Sequence, residues 1–132
     1  MNSKKTILAI VCVAVLWFIM DFIIHGNLLM NDYIATAGLW RAPEDMSHTA
    51  SMIFTLIFSV LYVFFYNAIS QTKTTAQGFK FGFWYGLISG LCMFGMTIYM
   101  PIPNNIGIAW FISCFVESMA AGALMGYITK EA

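Results

Sequence analysis

The sequence predicts an all-α polytopic membrane protein: a bundle of four transmembrane helices with a short interfacial helix in the first outer loop. Three observations carry this expectation. Of 132 residues, 61% are hydrophobic and 9% charged, where a soluble domain carries about 25% charged residues. Four apolar runs reach the roughly 20 residues that a helix needs to cross a hydrocarbon core of about 30 Å. The cations, finally, divide between the two sides as membrane insertion favours.

The first span is expected at about residues 6–24, behind Lys4 and Lys5. Ala35-Thr36-Ala37 has the form of a signal-cleavage site. However, the apolar run exceeds the usual ~7–15 residues and the site lies too far beyond it, so a retained helix is expected. In the outer loop, residues 25–46, Leu29, Tyr33, Ala37 and Trp40 recur at near-helical spacing. That spacing predicts a short helix at the membrane surface, with Trp40-Arg41 as an interfacial anchor. Pro43 followed by Glu44 and Asp45 reads as a helix start, so the second helix is expected to begin near Pro43.

The second span is expected at about 47–69 and the third at about 79–100, joined by a polar connector, residues 71–77. Pro101 and Pro103 close the third helix, and the fourth span is expected at about 106–128. The whole chain forms one membrane domain without a visible internal repeat. Lys4, Lys5, Lys73, Lys80 and Lys130 then fall on one side, and only Arg41 on the other. The positive-inside rule places both termini in the cytoplasm.

Gly78, Gly82, Gly86 and Gly90 repeat every fourth residue along the third span. Glycine weakens a helix interior unless another backbone approaches closely, and in lipid such stripes let helices touch. Cys114, Ser118, Gly122 and Gly126 offer a matching stripe on the fourth span. Spans three and four are therefore expected to form the tightest pair. Packing between two copies of the chain is the alternative.

Glu117 falls near the middle of the fourth span, where a charged side chain costs roughly 2.5–3.5 kcal/mol on insertion scales. Asp21 lies near the outer end of the first span, with His25 one turn further on the same face. Glu117 is 13 residues from Lys130 and Asp21 is 16 from Lys5. The difference of three residues is about 4.5 Å of helix rise. Thr55, Ser59, Cys92, Met93 and Met96 fall near the same level. Asp21, His25 and Glu117, capped by His48, therefore form a candidate ligand-binding pocket in the outer half of the bundle. The competing reading makes Glu117 a hydrogen-bonded structural acid and leaves Asp21 and His25 in the wet interface.

Other chemistries find less support. Zero net charge argues against nucleic acid and against electrostatic action at anionic surfaces. Cys12, Cys92 and Cys114 contain no CxxC pair, which argues against a thiol redox or zinc motif. Ten methionines are soft ligands suited to Cu(I), but they equally fill apolar gaps. The two histidines both fall near the outer face, which does not suit haem. No bound metal or cofactor is expected. No nucleophile motif or phosphate loop occurs, so an enzyme is the least supported class. The remaining functions are ligand binding or passage, and an accessory subunit docking on a larger membrane complex or on its own copies.

The run Asp21, His25-Gly26, Leu39-Trp40-Arg41-Ala42-Pro43-Glu44 resembles a pattern in small bacterial four-helix inner-membrane proteins. Pro101-Ile102-Pro103, Trp110, Glu117 and Gly122 to Gly126 are similar too, so the resemblance covers nearly the whole chain. It implies the four-helix architecture and a bacterial inner membrane, and no activity.

Overall fold

The structure, a computed structural model, describes residues 3–130. Its elements are α1 (Ser3–Ile23), a π-helical turn (Ile24–Leu28), α2 (Met30–Ala35), two single 3₁₀ turns (Ala37–Leu39 and Pro43–Asp45), α3 (His48–Ile69), α4 (Thr75–Tyr99) and α5 (Asn104–Thr129). Among the described residues there is no strand. Helices α1 (with its π turn), α3, α4 and α5 are long and apolar enough to cross a membrane.

Local chemistry sets the ends. The expected helix start at Pro43 is not found. Pro43–Asp45 closes only one 3₁₀ turn, and Met46 is extended. The helix starts at His48, because the Ser47 side chain accepts the Ala50 N–H at 3.2 Å and supplies the cap. Helix α4 begins a turn before its apolar run. There Thr74 accepts the Gln77 N–H at 3.1 Å, drawing Thr75, Ala76 and Gln77 into the helix. Its other end stops at the extended Met100, ahead of Pro101. The expected short helix of the long loop forms over Met30–Ala35, and Trp40 follows in extended conformation.

Helices α4 and α5 make by far the closest pair, while α1 packs on both α3 and α5. The α4 glycines lie buried against the α5 backbone. A Cβ at Gly82 would stand 2.9 Å from the Met119 Cα, and one at Gly86 would stand 3.0 Å from the Phe115 Cα. At Gly90 it would meet the Phe111 carbonyl at 2.8 Å, and at Gly78 the Gly126 Cα at 2.8 Å. From the other side, Gly122 meets the Gly82 Cα and Gly126 the Gly78 Cα, both at 3.0 Å. Ser118 lies buried in this seam, whereas Cys114 is only partly covered. Gly107 continues the seam against Phe94 and Thr97.

The core sits toward the end of the bundle that carries the termini. Ala9, Val13, Trp17, Tyr62, Val63, Tyr66, Phe81, Ala121 and Met125 form it. Tyr62 is its centre. Its hydroxyl donates to the Ser118 carbonyl at 2.6 Å, and its ring meets Trp17, Phe81 and Tyr85 edge-on at 4.9–5.1 Å. Toward the other end, which carries the long loop, α3 stands apart from its neighbours. Residues 48–58 are exposed except for the half-buried Thr55. Ring contacts between α3 and α4 reach no further than Tyr62 and Tyr85 among the described residues.

Candidate functional site

The polar residues of interest lie where the packed half of the bundle meets the open half. Helix α1 runs toward the long-loop end past Trp17, whose indole N–H reaches the Glu117 carbonyl at 3.4 Å. One turn further it presents Asp21, then widens into the π turn that carries His25. The Leu29 N–H bonds the Ile24 carbonyl at 2.8 Å across this turn, and the Asn27 amide donates to the Phe22 carbonyl at 3.0 Å. Such single π turns recur at functional sites.

His25 is held on two sides. Its Nε2 stands 3.8 Å from the Asp21 Oδ1, and its Nδ1 lies 2.6 Å from the Tyr33 hydroxyl of α2. The same hydroxyl accepts the Trp110 indole N–H of α5 at 2.8 Å. An indole nitrogen can only donate, so the phenol oxygen accepts from Trp110 and its own proton is free to be given to His25 Nδ1 when the imidazole carries its proton on Nε2. Burial raises the Tyr33 phenol above its ordinary value of 10, with the Trp110 bond opposing and Asp32 and Asp21 adding to the rise. The phenol is thus protonated at neutral pH.

Further contacts fasten the long loop over this chain. Trp40 meets Tyr33 edge-on at 5.5 Å and Trp110 at 6.0 Å, and its N–H donates to Thr36 at 2.9 Å. The Asn105 amide of α5 donates to the Asp32 carboxylate at 2.8 Å.

Glu117 lies beneath. Asp21 is within electrostatic reach of both Glu117 and Cys114, and Tyr85 of Cys114, which brings α1, α4 and α5 to one region. The Glu117 Oε1 is wholly buried and has no hydrogen-bond partner among the described residues. A carboxylate oxygen in apolar surroundings without a donor is costly. On α3, His48, Ser51, Thr55 and Ser59 follow one another at three- and four-residue spacing. They continue the stripe that ends at Ser59, which is fully buried in the core.

The structure thus connects Asp21 to His25 and brings Asp21 near Glu117. His48 is exposed at the first residue of α3, and no hydrogen bond or ring contact joins it to the others among the described residues. Cys92, Met93 and Met96 are exposed on α4. No three His, Cys, Asp or Glu side chains come together as metal ligands among the described residues.

Sequence reasoning missed Tyr33 and Trp110 as members of the site. One signal was available for Trp110. It lies seven residues before Glu117, two helical turns along the same face of α5. Tyr33 offered none, because its role depends on how the loop folds back. Comparison with protein-family models, with curated proteins and with solved structures finds no match for this chain.

Proposed function

We propose that this chain is a multi-pass protein of a bacterial inner membrane, with both termini cytoplasmic. In this reading it binds or passes a small polar or amphipathic ligand at Glu117 and Asp21. The orphaned Glu117 Oε1 carries the reading. A ligand head that donates a hydrogen bond, an amine or a hydroxyl, would satisfy it. The parting of α3 from α4 beyond Tyr62 and Tyr85 gives an apolar tail a lateral way in from the lipid. The hydrogen-bonded His25–Tyr33–Trp110 chain, with Asp21 at 3.8 Å from His25, then works as a roof over Glu117. The alternative, docking of an accessory subunit, is weaker in its simplest form, because the α4 glycine stripe is already covered by α5. Membership of the bacterial four-helix family belongs to the same proposal.

The test is native purification in mild detergent, followed by mass spectrometry of small molecules retained by the wild type and by Glu117→Gln and Asp21→Asn. A hydrogen-bond-donating amphipath held by the wild type and depleted at least tenfold from Glu117→Gln is the expected result. An identical set of retained molecules in all three folded proteins would sink the proposal.

A further inference from the structure

The zero net charge of the chain conceals a strong segregation. Among the described residues, Asp21, Asp32, Glu44 and Asp45 lie toward the long-loop end and Glu117 within a span. The five lysines lie at the opposite end. Four of those lysines are engaged. The Lys73 ammonium donates to the Asn67 and Ser70 carbonyls and covers the Tyr66 ring at 4.8 Å. Lys5 donates to the Lys130 carbonyl at 2.6 Å, Lys130 itself covers the Tyr127 ring at 4.4 Å, and Lys4 is also engaged. Among the described residues Lys80 makes no hydrogen bond, ion pair or ring contact, and it is exposed.

Lys80 lines an open groove of about 370 Å³ between the end of α3 and one face of α4. Gln77, Lys80 and Trp84 share that face at three- and four-residue spacing, while Gln71 and Thr72 of the connector form the opposite rim. Its apolar side is made by Ile69 and Trp84, both more than half exposed. A cation and amide and hydroxyl donors thus stand at the mouth, and apolar surface continues from it along the span. Tryptophan and lysine at the end of a span are the side chains that meet lipid headgroups. A polar head of one negative charge with an apolar continuation matches both parts.

We propose that this groove binds the phosphodiester headgroup of an anionic phospholipid. Lys80 and the Gln71, Thr72 and Gln77 donors hold the phosphate, and the acyl chains descend past Trp84 and Ile69. This site is independent of the Glu117 site. A free phosphate shares the headgroup chemistry but would leave the apolar wall without an occupant.

The experiment is native mass spectrometry of the full chain with phosphatidylglycerol, with diacylglycerol of the same acyl chains, or with inorganic phosphate. Wild type, Lys80→Gln, Lys80→Arg and Lys130→Gln are compared. Phosphatidylglycerol is expected to be retained over diacylglycerol. Lys80→Gln lowers its occupancy about fivefold, the effect of one lysine at an anionic surface. Lys80→Arg and Lys130→Gln retain it. As a second readout in the folded variants, brominated phosphatidylglycerol quenches the fluorescence of the wild type more than that of Trp84→Phe. Equal loss in Lys80→Gln and Lys130→Gln would overturn the assignment, as would equal retention of both lipids. Displacement of the lipid by millimolar inorganic phosphate would also overturn it, in favour of the free anion.

Discussion

Replacing Gly82 by alanine tests the seam between α4 and α5 most directly. The added Cβ would lie 2.9 Å from both the Met119 Cα and the Ser118 carbonyl carbon, and closer still to the Ser118 carbonyl oxygen. Ordinary contact begins at 3.4 Å, so the helices must part by at least 0.5 Å (3.4 − 2.9). All three obstructing atoms are backbone, and no rotamer change can relieve them. Overpacking of this kind costs about 1–3 kcal/mol, while alanine gains up to about 1 kcal/mol over glycine in a helix. The net expectation is a loss of about 1–2 kcal/mol. Gly95, further along the same helix, has nothing within 4 Å of an added Cβ. Gly95→Ala should therefore be neutral or stabilising by up to about 1 kcal/mol. Both variants are measured by reversible unfolding in mixed detergent micelles, followed by circular dichroism. If Gly82→Ala proves as well tolerated as Gly95→Ala, the close approach of α4 to α5 is wrong.

Two further substitutions probe the hydrogen bonds that place the site. Tyr62→Phe deletes the 2.6 Å bond to the Ser118 carbonyl and should cost about 1 kcal/mol in the same unfolding assay; an unchanged midpoint counts against that bond. Tyr33→Phe removes the oxygen joining His25 to Trp110 and should cost about 1–2 kcal/mol near neutral pH. It also changes the alkaline limb. The folded phenol holds its proton above its ordinary value of 10, so its contribution is complete below that pH and is lost as pH rises through the higher folded value. Tyr33→Phe should flatten the loss of stability above pH 10, read from the midpoint of alkaline unfolding, and an identical alkaline limb in both proteins would refute the burial of this phenol.

The four spans were legible because lipid imposes one strong rule: a long apolar run must be a helix. The α4–α5 seam was legible for a related reason, since a glycine every four residues has few uses other than backbone approach. Pro43 misled because sequence signals for a helix start and for an isolated 3₁₀ turn coincide over three residues. The cap at Ser47, whose hydroxyl takes the Ala50 N–H, decided between them. Tyr33 was beyond reach for a different reason. Its spacing to His25 and Trp110 carries no periodic signal, because the path between them runs through a π turn and a reversal of the chain. Asp21 and His25 kept their one-turn relation, which is local and survives the widening of the helix at 3.8 Å.

Why Glu117 has no protein donor follows from the neighbours that surround it. Next to it, Ser118 lies in the glycine seam and has its carbonyl taken by Tyr62. Nearby hydroxyls are turned elsewhere: Ser113 bonds the Ala109 carbonyl at 2.7 Å and Ser59 the Leu56 carbonyl at 2.8 Å. Each of these bonds back to its own helix, the usual fate of serine in an apolar span. Ser59 and Ser113 thus satisfy themselves locally and leave the Glu117 Oε1 without a donor among the described residues. The proposal of an exchangeable, hydrogen-bond-donating ligand builds on that lack of donors, and Glu117→Gln with retained-ligand mass spectrometry is its test.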